Sequence, residues 1–419
     1  MSVGLAVSLG IFGLIAVREW LPEWLKIWHI MLVGAVVMLL AGEISPRDAL
    51  AAVDWNIIAY LFAVFSIGNS LYLNGVSHRI ADRLVGLGSA KAALAAFIVC
   101  FAVVAAIVTN DAAAIIGAPI AFVLAARTGV DPKIFLIALC VTVTVGSMAT
   151  PIGNPQNLLI AESGDLPAPL FTFLAWLIVP TVISLAMAAW WFSYSLKSDG
   201  SGSDAVAERA SVSESEEKLW PSLVAVGLLG VLVTADSVLS VFDPKNGIPL
   251  GLAACVACIP VYVFDRRRKQ TFLGLDWPTL VFFVAMFIVT GELLTSGALH
   301  GLFGEVRDQM SNLLVTAAIG FFGSQIFSNV PLVDMYLKVA DSYSTDTMIM
   351  LAAMSTLAGN VFIISAASNV IVLQQSEALG GPSMTFTEFF RAVLPVGAFS
   401  TLFTLGWVYA VSWALASWA

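Results

Sequence analysis

The sequence predicts an all-α integral membrane protein made of two inverted repeats, with about ten transmembrane helices, two re-entrant hairpins and two broken helices. Composition, the spacing of apolar runs and an internal duplication carry this reading. Of 419 residues, 59% are hydrophobic and 11% charged, against roughly 45–50% and about 25% in soluble domains. Mean hydropathy is +0.93. A bilayer core of about 30 Å takes roughly 20 apolar residues per helical crossing, and runs of that kind recur along the whole chain. They are continuous rather than alternating, so they read as helices rather than barrel strands.

Taken in order, the apolar runs lie near 3–17, 27–42, 55–76, 91–108, 112–127, 134–161 and 168–195. The first has no basic residues before it and no small-residue cleavage site after it, so it reads as a span and not a signal peptide. Residues 196–219 are polar, rich in serine and acidic residues, and form the expected linker. The series resumes near 220–241, 247–264, 277–298, 311–327, 330–340, 347–375 and 385–415. The organisation is therefore a first repeat at 1–195, with a hairpin at 91–127 and a broken helix at 134–161. After the linker comes a second repeat at 220–419, with a hairpin at 311–340 and a broken helix at 347–375.

The two halves align. Asp54-Trp55 falls on Asp276-Trp277, an offset of 222 residues (276 less 54). The same offset carries Ala63-Val64-Phe65 onto Ala285-Met286-Phe287. Thr109-Asn110 pairs with Ser328-Asn329 at an offset of 219, and Asn157 with Asn369 at 212. An ordered series with slowly drifting offsets marks a duplication. Thr109-Asn110-Asp111 leaves no room for a solvated loop between its two helices, so both ends of that hairpin are expected on one side. Each repeat then crosses an odd number of times, and the second is inverted. Under this topology 15 of the 19 basic residues, and the linker, are cytoplasmic, with Arg47, Lys245, Arg307 and Lys338 outside, as the positive-inside rule requires. The expected location is the cell membrane, multi-pass.

Four segments break the rules of a membrane interior at matched positions: Thr109-Asn110-Asp111, then Ala149 to Asn157, then Ser328-Asn329-Val330-Pro331, and Gly359-Asn360 followed by Ser368-Asn369. Pro151, Gly153 and Pro155 cannot easily continue a helix, since each proline lacks a backbone donor and clashes with the preceding turn. Broken helices at membrane depth are tolerated where they line a cavity, their free ends facing ions. Polar residues can also serve as adhesive between helices; four breaks in symmetric positions favour a site. Asn110, Thr150, Asn154, Asn157, Asn329, Asn360, Ser368 and Asn369 are therefore the expected substrate ligands. Asp111, with Thr109, Ser328 and Gly153, is the expected coupling-ion or proton site. An intramembrane carboxylate is by default functional; its structural alternative is a cap for the N–H groups of residues 112–114. Asp334 is a weaker candidate, and Glu292 and Asp236 read as interfacial.

Other classes are excluded or weaker. No basic stripe suggests nucleic acid, and the net charge of −9 comes largely from loops and the linker. H-E-x-x-H, G-x-S-x-G and nucleotide-binding loops do not occur, so the chain reads as neither enzyme nor ATPase. Cys100, Cys140, Cys255 and Cys258 all lie in apolar spans. Cys255 and Cys258 share a helix face, as a soft-metal thiol pair would, but read as buried small hydrophobes. No cofactor is expected beyond a coupling sodium ion or proton. Function is expected to be secondary active transport, symport or antiport, with a channel as the competing class.

At these residues the sequence resembles a known group. Asn110-Asp111-Ala112-Ala113-Ala114-Ile115-Ile116-Gly117-Ala118-Pro119 is similar to the hairpin of ArsB-type arsenite permeases. Thr150-Pro151-Ile152-Gly153-Asn154-Pro155-Gln156-Asn157 resembles the broken helix of anion permeases in the ion transporter superfamily, and Gly359-Asn360 and Ser368-Asn369 its second broken helix. The resemblance implies a homodimer and an elevator-like transport domain. It also implies a small inorganic or organic anion as substrate, arsenite or antimonite efflux, or sodium–proton exchange. Where dicarboxylate carriers have Ser-Asn-Thr at both tips, this chain has Thr109-Asn110-Asp111 and Ser328-Asn329-Val330, which leans toward the arsenite permeases.

Overall fold

Helices form almost where the apolar runs predict, and their ends follow from capping chemistry. The computed structural model describes residues 3–16, 22, 25–163, 166–196, 219–242, 247–297, 304, 307–339, 343–361, 366–382 and 384–418. All but the first and last residues of the linker therefore lie outside the described residues. The first half contains α1 (Val3–Ala16), α2 (Ile27–Ala41), α3 (Pro46–Ala52), α4 (Trp55–Leu73), α5 (Val76–Val85), α6 (Ala90–Ile107), α7 (Asn110–Thr128), α8 (Pro132–Ser147), α9 (Pro155–Glu162) and α10 (Pro169–Ser195). The second half contains α11 (Trp220–Phe242), α12 (Leu250–Phe264), α13 (Arg268–Leu273), α14 (Trp277–Thr295), α15 (Leu313–Phe327, with a π-turn at Ile319–Gly323), α16 (Asn329–Val339), α17 (Thr345–Ala358), α18 (Ala367–Ala378) and α19 (Phe386–Trp418). Seven of these are long and apolar enough to cross a membrane. The protein is an all-α membrane protein.

Several local features recur at the offsets of the duplication. Asp54 accepts from Asn56 N (3.0 Å) and Ile57 N (3.1 Å), and Asp276 accepts from Thr279 N (3.1 Å), so equivalent carboxylates cap α4 and α14. Trp55 Nε1 donates to Leu50 O and Trp277 Nε1 to Phe272 O, each at 3.2 Å. Asn110 and Asn329 are each the first residue of a helix that follows a break.

Packing is crosswise. Helices α6, α7 and α8 pack together, but α7 also lies on α18 of the other half, and α16 lies on α9. Each hairpin's second helix thus meets the other half's short half-helix. A second group joins α4 to α12, α11 to α12, and α2 to α14, and α4 also packs on α7. Leu40, Phe242, Leu402 and Trp413 project outward, 84%, 84%, 68% and 70% exposed, as lipid-facing side chains do. A wholly apolar groove of about 640 Å³ runs between α2, α4, α12 and α14, with Trp55, Phe62, Cys255 and Trp277 in its wall. None of its lining residues belongs to the four breaks.

Candidate functional site

The first tip is built by the backbone. Thr109 caps α7 by accepting from Ala112 N at 3.2 Å, and Asn110 Oδ1 accepts from Asp111 N at 2.9 Å. Asp111 therefore does not serve as the cap, although it is 5% exposed. Its Oδ1 is buried with no partner. The Asn110 N–H donates to Gly153 O at 2.9 Å, which ties this tip to the first broken helix.

That break runs between Ser147, the last residue of α8, and Pro155, the first of α9. Asn154 caps α9 by accepting from Asn157 N at 2.9 Å. Asn157 Nδ2 donates to three backbone carbonyls: Thr150 O at 3.0 Å, Ser147 O at 3.3 Å and Met148 O at 3.4 Å. These are orphan acceptors at a helix C-terminus, and one amide gathers them. Thr150 Oγ1 donates to Ala106 O at 2.6 Å, binding the break to the end of α6. At Gly153 an added Cβ would stand 2.2 Å from Ser147 O, so only glycine lets the chain fold back this closely.

The second tip and the second break are organised differently. Ser328 has φ 71° and ψ 156°, a region that non-glycine residues occupy only under strain. Asn329, 8% exposed, has a buried Oδ1 with no partner. Its Nδ2 lies 3.6 Å from where a Cβ on Gly359 would stand, so the second tip touches the second break. There Asn369 Nδ2 donates to Gly359 O at 2.9 Å, repeating at an offset of 212 residues the bond from Asn157 to Ser147. Asn360, 1% exposed, has neither amide atom bonded, and Ser368 Oγ is buried without a partner. Residues 362–365 of this break lie outside the described residues.

All four segments are linked through contacts: Asn110 to Gly153, Asn154 to Thr356 at 3.2 Å, Thr356 O to Gly359 N at 3.0 Å, and Gly359 to Asn329. Thr356 and Gln156 belong to this cluster and were not singled out in the sequence. Their signal was available: Thr356 lies one turn before Gly359-Asn360, and Gln156 lies between two expected ligands.

Other candidates are absorbed by structure. Asp334 forms an ion pair with Lys338 (2.7 Å) and accepts from Thr290 Oγ1 at 2.5 Å, so its charge is satisfied within α16 and against α14. Glu292 and Asp236 are 1% and 7% exposed, so both are enclosed by protein. Packing encloses them: Gly4 of α1 leaves space where an added Cβ would stand 2.1 Å from Glu292, and Asp236 accepts from Ile248 N at 2.8 Å. The four cysteines are free thiols, and among the described residues no group of metal-ligating side chains occurs.

The chain can now be placed among known proteins. A family model described as a citrate transporter (CitMHS) matches residues 14–348. The silicon efflux transporter LSI3 of Oryza sativa subsp. japonica is 26% identical, covering 88% of this chain and 90% of that protein. The inner membrane protein YbiR of Escherichia coli K12 is 27% identical over 68% of this chain and 72% of its own length. Among solved structures, the Alcanivorax borkumensis YdaH transporter superposes with a TM-score of 0.51 at 15% identity, covering 91% of this chain and 89% of its own. The Neisseria gonorrhoeae efflux pump MtrF gives 0.52 at 14% identity, covering 94% and 96%. Those two likenesses concern the fold. With its family model spanning most of its length, the chain belongs to the citrate transporter family and is a membrane transporter.

Proposed function

We propose that this transporter exports a small hydroxylated solute of the type of arsenous or silicic acid, driven by a proton or sodium ion that engages Asp111. One observation carries this reading. Within the four broken segments Asp111, Asn329, Asn360 and Ser368 each hold a buried polar atom without a partner, and no lysine or arginine occurs in any of those segments. Unpaired buried donors and acceptors are costly unless a ligand completes them. Amide and hydroxyl groups match a neutral hydroxide, which both donates and accepts. A multiply charged carboxylate would instead need countercharges that no lysine or arginine of these segments supplies. The name of the rice relative, a silicon efflux transporter, agrees with this chemistry and with export.

Within this reading Asn110, Asn329, Asn360, Ser368 and Asn369 face the solute, and Thr150, Asn154 and Asn157 shape the opposite wall. Thr109, Ser328 and Gly153 hold the tips around the ion. The crosswise packing of α7 on α18 and α16 on α9 supports one moving body that carries both breaks in an elevator-type cycle. The chain would act as a homodimer in the cell membrane, its repeats inverted and its linker cytoplasmic. The second reading, a small anion or carboxylate substrate, is favoured by the family's description and by half-helix N-termini at the breaks.

A thermal-shift panel on purified protein separates the two, because a specific ligand stabilises the folded state by mass action. Arsenite or silicic acid is expected to raise the melting temperature, and citrate, succinate and sulfate are not. A shift from citrate alone would replace the first reading by the second. Inversion is tested in sealed cells with single cysteines at positions 128 and 342 in a cysteine-free background. Position 342 should react with an impermeant thiol reagent from outside and 128 only after permeabilisation; reaction of both from one face means parallel repeats.

A further inference from the structure

We propose that Thr356 is a positioning residue of the transport site, setting the orientation of three amide side chains in the first break while its carbonyl holds the second. The argument rests on the transporter reading above. Thr356 lies on α17 and is 1% exposed. Its hydroxyl accepts from Asn154 Nδ2 at 3.2 Å and Gln156 Nε2 at 3.3 Å, and donates to Asn157 Oδ1 at 3.4 Å. A hydroxyl has one proton and two lone pairs, so this one is saturated.

The polarity of each bond is dictated from elsewhere. Asn154 Oδ1 is committed to the Asn157 N–H, which turns Nδ2 toward Thr356. Asn157 Nδ2 is committed to the carbonyls of Ser147, Met148 and Thr150, which turns Oδ1 toward Thr356. Only a group that accepts twice and donates once completes the set. Meanwhile Thr356 O accepts from Gly359 N at 3.0 Å, the residue before the unpartnered Asn360. The Thr356 hydroxyl therefore ties the first break to the last turn of α17, where the second break begins. The hydroxyl at the equivalent position in the other half, Thr144 at an offset of 212, bonds back to Cys140 O in its own helix at 3.0 Å. The bridge is thus a specific device and not a habit of threonine in this helix.

The test uses the full chain in liposomes with arsenite as probe, and amide hydrogen exchange of residues 148–157 read without any solute. Thr356→Val keeps the shape and removes the hydroxyl. It is expected to speed exchange in that segment by about tenfold, as losing a buried hydrogen-bond set does. It should also raise KM for arsenite by about tenfold with the maximal rate per folded protein near wild type. Thr356→Ser, which keeps the hydroxyl, should restore both. A merely structural role would lower the amount of folded protein and leave KM unchanged. Wild-type exchange and KM in Thr356→Val, or a loss in Thr356→Ser as large as in Thr356→Val, overturns the proposal. Should Thr356→Val not fold, Gln156→Leu withdraws one bond and is expected to give a smaller rise in exchange; no rise overturns it equally. A wild type that carries no arsenite sinks the solute assignment instead, and the exchange measurement still decides on Thr356.

Discussion

The two broken helices share a plan and differ in what they leave unsatisfied. In the first, Asn154, Asn157, Thr150 and Gln156 spend their polar groups on one another, on carbonyls and on Thr356. In the second, one bond from Asn369 to Gly359 repeats the plan, while Asn360 and Ser368 stay buried with unbonded atoms. A break that closes on itself is a fixed wall. A break that holds unpaired amide and hydroxyl groups stores a cost that a bound solute removes. Under the proposed function the first break supplies a rigid wall and the second the ligand chemistry, and Asp111 Oδ1 is the partnerless atom at the first tip.

The largest expected effect is therefore at Asp111. Replacing it by Asn keeps the shape and removes the only carboxylate of the four segments. Gradient-driven flux in liposomes should fall by at least about a hundredfold, as when an interaction used in the rate-determining step is lost. Melting temperature should stay near wild type, since Oδ1 has no partner to lose. Flux that keeps its dependence on pH and sodium in this variant would remove Asp111 from the coupling role.

A pair of alanines tests the contrast between the breaks directly. Asn157→Ala withdraws three bonds to carbonyls and the one accepted from Thr356, and at about 0.6 kcal/mol for each such bond in a membrane protein the loss is about 2 kcal/mol of stability. Asn360→Ala removes an unpaired buried amide and should be neutral or stabilising by about 1 kcal/mol. Asn360→Ala should nevertheless lose about tenfold in flux. Detergent unfolding and liposome flux measured on both variants check this. Equal destabilisation by the two would mean that the second break is as self-satisfied as the first.

Much of this was legible in the sequence because membrane constraints leave few solutions. Apolar runs gave the helices, and Pro151, Gly153 and Pro155 marked an interruption that the structure places between Ser147 and Pro155. The offsets picked out Asn157 and Asn369, which make the same bond in both halves. Sequence could not separate used from unused polar groups, since that depends on partners about 200 positions away, such as Thr356 for Asn154. Nor could it show that Glu292 is enclosed, because the space comes from Gly4 on another helix. The cap that was the structural alternative for Asp111 is made by Thr109, whose shorter side chain sits at the residue with extended backbone.

The smallest expected effect separates the two tips by sign. Thr109 is extended, with φ 175°, and its hydroxyl caps α7. Ser328, its counterpart, has φ 71° and ψ 156°. Glycine at 109 loses a cap and gains freedom in the unfolded chain, so Thr109→Gly should lower stability by about 1 kcal/mol. Glycine at 328 adopts the same backbone without the Cβ clash, which relieves about 1–3 kcal/mol. Part of that gain is lost to unfolded-state entropy, leaving Ser328→Gly more stable by about 1 kcal/mol. Flux then says what the strain is for. If the Ser328 hydroxyl holds the coupling ion, Ser328→Gly will be more stable and slower, and Ser328→Ala, which keeps the strain, will be equally slow. If only the backbone matters, Ser328→Ala will carry solute at the wild-type rate, and the second tip will serve the ion through its carbonyls alone.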